Sequence, residues 1–99
     1  MNINEIIIEV LEKNNTAYKH PYNIDYRCDS FDIDFYLPDS RMFIILDQDS
    51  YNFELYKDIA SLGKVNGYRT TIIPIYKIQN RETLIQWVYH SIYTDVVTV

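Results

Sequence analysis

The sequence predicts a single α/β domain across residues 1–99, three layers deep, with helices flanking a mixed sheet of about four strands in the order α(β)ββαβα. Three observations lead there. Segments with a helical apolar period stand at both ends and in the middle of the chain, and segments of strand character lie between them. One of these, "RMFIILDQ", is apolar at both odd and even positions, which fits a central strand covered on both sides. Ninety-nine residues with 47% hydrophobic and 15% aromatic content can fill one compact core without disulfides.

Taken in order, Asn2 followed by Glu5 approximates a capping box, and Ile3, Ile7, Val10 and Leu11 share one face, so a helix is expected from about 3 to 14. The stretch "TAYKHPYNIDYRCDS", interrupted by Pro21, reads as an irregular or edge strand. In "FDIDFYL" the residues Phe31, Ile33, Phe35 and Leu37 point one way and Asp32, Asp34 and Tyr36 the other, the period of a half-buried strand. "PDS" then turns the chain into "RMFIILDQ", closing a hairpin. A short turn around Pro38 to Arg41 sets residue 34 opposite 45 and Asp47 opposite Asp32.

Beyond the hairpin, "SYNFELYKDIASLGKVNG" puts Tyr56, Ile59, Ala60 and Gly63 on one stripe and stops at Asn66-Gly67, as a helix with a glycine end does. "YRTTIIPIYKI" is β-branched and reads as a strand, with Pro74 marking its end or an edge. Asn80 then caps "RETLIQWVYHSIY", where Leu84, Val88 and Ile92, flanked by Ile85 and Trp87, define a last helix.

Charge narrows the function. The formal net charge is −5, from 14 acidic and 9 basic residues, and the basic residues are scattered, whereas a free-standing nucleic-acid binder gathers cations against phosphate. The lone Cys28 cannot form an internal disulfide, and no apolar run is long enough for a membrane span, so a cytoplasmic protein with no membrane role is expected. His20 and His90 lack a ligand-spaced partner and read as structural. Cys28, beside Arg27, reads as a small buried residue rather than a nucleophile. Trp87 and its neighbouring tyrosines read as core or as a homodimer face.

The order of elements, the "DFYLP" strand, the apolar strand ending in acids and the "NGYRTTIIPIYKI" segment together resemble the PD-(D/E)XK nuclease superfamily. The likeness is to its small branch of very-short-patch-repair-like and phage junction endonucleases, over roughly residues 3 to 93. The resemblance implies a restriction-endonuclease-like core in which paired acids hold Mg²⁺ or Mn²⁺ and activate water against a phosphodiester. It puts Asp34 in the role of first acid. Laid on without a gap, the family pattern "DFYLP…IE-x-D-G-x-x-H" places Ile45 at the catalytic acid, Asp47 at the second acid, Gln48 at the glycine and Tyr51 at the histidine. Ile45 cannot bind a cation. A longer turn or a bulge would instead make Asp47 the bridging acid and put Asp49 at the lysine position, since the diagonal from Asp34 is about 7–8 Å. Asp34, Asp47 and Asp49 would then hold the metal, with Lys57 reaching in from the following helix and Glu5 or Glu9 assisting from the first.

Two functions follow as expectations. The first is a non-catalytic, acidic nuclease-fold protein of phage or mobile-element type, needing no cofactor. It would bind a basic nucleic-acid-binding protein of the host and inhibit it as a DNA mimic, in an anti-restriction or anti-CRISPR manner. Asp32, Asp34, Asp39, Asp47 and Asp49 would present the carboxylates. The opening "MNINEIIIEVLEKNN" is similar to the first helix of small phage anti-CRISPR proteins. The alternative is an active Mg²⁺- or Mn²⁺-dependent DNA endonuclease using Asp34, Asp47, Asp49 and Lys57; a third possibility is a structural subunit of a larger complex.

Overall fold

The computed structural model describes residues 1–26 and 29–93, so the expectations for Arg27 and Cys28 lie outside the described residues. Its elements are α1 (Ile3–Lys13), β1 (Tyr22–Tyr26), β2 (Asp29–Ile33), β3 (Phe35–Leu37), β4 (Met42–Leu46), α2 (Phe53–Val65), β5 (Arg69–Ile73), a 3₁₀ turn (Ile75–Lys77) and α3 (Arg81–Ile92). Among the described residues the fold is mixed α/β, with three helices and two small sheets. No helix among the described residues is long and apolar enough to cross a membrane.

The helix ends form where the capping residues stand. Asn2 accepts from the Glu5 backbone N–H at 3.2 Å and Asn80 from that of Thr83 at 2.9 Å, each satisfying a donor the first turn leaves free. Past α2, Gly67 adopts φ +83°, the left-handed conformation that suits a helix stop. β5 ends at Ile73, directly before Pro74.

Instead of one four-stranded sheet there are two. β3, β4 and β5 form a mixed sheet in that order, antiparallel then parallel, while β1 and β2 pair separately as an antiparallel ribbon. The cause is a bend at Asp34 that cuts the expected single strand "FDIDFYL" into β2 and β3. Across the bend the face reverses. Phe31 and Ile33 pack with Phe43, Ile45 and Ile59, whereas Phe35 and Leu37 pack with α1, α3 and Met42, Ile44 and Leu46. Asp32 consequently pairs with Asn23 in β1, and the expected pairing of Asp47 with Asp32 does not occur.

β4 is the central strand, and all five of its residues are buried. Its even-numbered side chains join the larger core beneath α1 and α3; Phe43 and Ile45 join the smaller one with Ile59 of α2. The turn Pro38 to Arg41 keeps the expected register, with Phe35 opposite Ile44 and Leu37 opposite Met42, so the same ladder extended brings Asp34 level with Ile45. Arg41 closes this turn at φ +52° and donates to the carbonyls of Gly67 and Asn66, where a cation meets the negative end of α2.

Candidate functional site

The acids singled out by sequence gather unevenly around the carboxyl end of β4. At the bend, Asp34 is half-buried and its Oδ2 accepts the backbone N–H of Leu46 at 2.7 Å, tying the break between the two sheets to the end of the central strand. His20 lies beside it, its Nδ1 hydrogen-bonded to the Asp34 carbonyl and its ring stacked on Phe35 at 4.2 Å. Burial raises the Asp34 pKa above the usual carboxylate value, and the charge of Asp32 adds to the rise. The Leu46 amide and His20 oppose it.

Asp47 follows β4 and is 2% exposed. Its carboxylate is spent on the turn that follows: Oδ1 accepts from Ser50 N–H at 2.9 Å and, more weakly, from Asp49 N–H at 3.4 Å. Asp49, exposed, does the same one step on, accepting from Tyr51 N–H at 2.9 Å. These are Asx-type turns, in which a short acid replaces a backbone acceptor. They lead the chain into α2, where Tyr56 sits half-buried. Burial raises the pKa of the Tyr56 phenol, and Asp47, Asp34 and Asp49 add to the rise while Asn52 opposes it.

Ile45, which the β3–β4 register would set against Asp34 if it continued through the bend, is 1% exposed and packed with Ile33, Phe43 and Ile59. The remaining residues are dispersed. Asp32 is exposed and accepts from Asn23 Nδ2 at 2.9 Å, and Asp39 is exposed in the hairpin turn. Lys57 is exposed on α2, its Nζ 3.8 Å from Glu54 and 5.7 Å from the centre of the Phe53 ring. Glu9 is engaged by Arg81 at 3.0 Å, and Glu5 is exposed. Among the described residues, no three His, Cys, Asp or Glu side chains converge where they could share a metal ion. His20 and Tyr56 are the members of this cluster that sequence reasoning missed. His20 meets Asp34 at the bend and Tyr56 stands in the entry to α2, and neither has a spacing that announces it.

No family model, curated protein or solved structure matches this chain.

The raised pKa of Asp34 has a consequence for stability. Folding makes the proton harder to lose, so the ionised form is the less stable one. The contribution is fully favourable below the unfolded carboxylate value of about 3.9 and is lost as pH rises through the higher folded value. Asp34→Asn keeps an acceptor for the Leu46 amide without the charge. Thermal melts should therefore show the variant more stable than the parent at pH 7, with the gap closing near pH 3; a variant less stable at pH 7 would show that the ionised carboxylate helps the fold.

Proposed function

We propose that the protein is a non-catalytic binding module of restriction-endonuclease-like, three-layer type, which acts by occupying the nucleic-acid-binding surface of a basic host protein. The observation that carries the reading is Ile45: the position facing the first acid belongs to the apolar core. The hydrogen bonds of Asp34, Asp47 and Asp49 to backbone amides support it further, because those oxygens serve the bend and the turn.

The binding face would be the entry to α2. There Tyr51, Phe53 and Leu55 are 87%, 47% and 44% exposed, interleaved with the exposed acids Asp49, Glu54 and Asp58. Aromatic side chains ringed by carboxylates suit a partner that otherwise binds stacked bases and phosphates, since the acids present to Arg and Lys what a nucleic acid would. Asp32 and Asp39, exposed on the hairpin, would extend the negative field without anchoring. In this reading the protein is an anti-defence inhibitor of phage type and needs no cofactor.

The binding reading is tested by immobilising the protein and passing host extract over it. A retained nucleic-acid-binding protein should be displaced by heparin and by salt, and Tyr51→Ala with Phe53→Ala should weaken retention at least ~30-fold, the loss of one hot-spot anchor of about 2 kcal/mol or more. Retention of nothing that heparin displaces would end the proposal.

A further inference from the structure

We infer that the outer edge of β5 is a self-association surface, where a second copy of this chain adds its own β5 antiparallel and Trp87 seals the flank. The parallel ladder fixes which backbone groups are free. Arg69 N–H donates to the Arg41 carbonyl at 2.9 Å and Asp47 N–H to the Ile73 carbonyl at 2.8 Å, so Arg69, Thr71 and Ile73 turn their backbone groups toward β4. Thr70 and Ile72 turn theirs outward, and among the described residues these N–H and C=O groups have no partner. Pro74, the next outward position, has no N–H to leave unpaired.

The pattern is self-complementary. With Thr71 opposite the partner's Thr71, Thr70 faces the partner's Ile72, and the two symmetric pairs exchange four N–H···O=C bonds, satisfying every outward group. Charge permits the approach even though the protein is acidic overall. Between Asp58 and Glu82 the sequence has no acid, only Lys64, Arg69, Lys77 and Arg81. The two Arg69 residues would stand about 14 Å apart along the strands, beyond a Debye length.

A second observation marks the same flank. On α3, which lies against β5, Leu84 and Val88 face the core and Arg81, Ile85 and Tyr89 line one hollow with Glu9, Val10 and Lys13 of α1. Helical spacing therefore turns Trp87, with Thr83 and His90, to the side of α3 away from α1, the helix itself lying against β5. Trp87 is 39% exposed there, on an open hollow of about 380 Å³. A five-residue edge and two indoles make a small interface, so the dimer is weak and concentration-dependent.

Amide exchange followed by NMR tests this on the intact protein. Between ~20 μM and ~1 mM, the Thr70 and Ile72 amides should slow at least ~10-fold while Thr71 and Ile73 stay equally protected at both concentrations. The sedimentation mass should rise from 11.9 kDa toward twice that value, and the fluorescence of the single tryptophan should shift to the blue. Thr70→Pro removes an outward donor, and the Thr70 hydroxyl it deletes has no partner to orphan. It and Trp87→Ser should each move association to at least ~10-fold higher concentration. Should Thr70→Pro fail to fold, Trp87→Ser and the exchange rates of the parent protein decide. A mass that stays at 11.9 kDa at ~1 mM overturns the inference, as does a rise in mass with unchanged Thr70 and Ile72 exchange.

Discussion

Ile45→Glu, the substitution that would put an acid opposite Asp34, is expected to unfold the protein. Ile45 is 1% exposed in the middle of the central strand, paired with Ile72 and packed with Ile33, Phe43 and Ile59. A glutamate there either stays ionised without a cation beside it or takes up a proton and is left short of hydrogen bonds. An uncompensated buried charge costs about 3–5 kcal/mol, and the lost apolar burial adds about 2 kcal/mol. The whole stability of a domain of this size is roughly 5–15 kcal/mol. Urea unfolding followed by circular dichroism should find little or no folded Ile45→Glu at 25 °C, with Ile45→Val losing only about 1 kcal/mol as a control for the site. A folded glutamate variant of parental stability would mean that the strand tolerates an acid at this position, and that its apolar residue is no structural commitment.

Phe35→Ala should be the next most damaging change, at about 3–5 kcal/mol. Phe35 is fully buried, carries the stacked ring of His20 on one side and meets Tyr18 edge-on at 6.2 Å. It is also the first residue after the bend, so its packing under α1 and α3 holds the chain in the reversed face that separates β3 from β2. Phe35→Leu keeps most of the volume and should cost less than about 1.5 kcal/mol. A cost for the alanine variant below about 1 kcal/mol, read from the same urea curves, would show that this residue does not hold the bend.

Much of the fold could be read before the structure was known, and the reasons are local. β4 is apolar on both faces because cores lie on both sides of it, and Pro74, Gly67 and the two asparagine caps mark ends that backbone chemistry dictates. The hairpin register followed from the length of its turn. The bend at Asp34 was not legible, because the alternation of apolar and polar residues continues through it unchanged while the face it addresses reverses. Without the bend, β1 and β2 look like part of the main sheet, and Asp32 looks like a neighbour of Asp47.

The site divides in the same way. Asp34 stood out only through the family resemblance, since Asp32 and Tyr36 continue the same polar row. Asp47 read as a metal or partner-binding acid at the end of β4, whereas it is buried and closes a turn; the Asp-Gln-Asp-Ser run, rich in turn formers, was the signal for that role. His20 reaches Asp34 from a distant segment, a proximity created by the fold.

As proposed, Asp34, Asp47 and Asp49 serve backbone amides and hold no metal. Titrating Mn²⁺ into the ¹⁵N-labelled protein tests it at the residues concerned, through paramagnetic broadening. No saturable broadening is expected at Asp34, Asp47 or Asp49 up to ~1 mM ion, the weak end of carboxylate sites. Saturable broadening centred on these three residues and abolished by Asp47→Ala would contradict it.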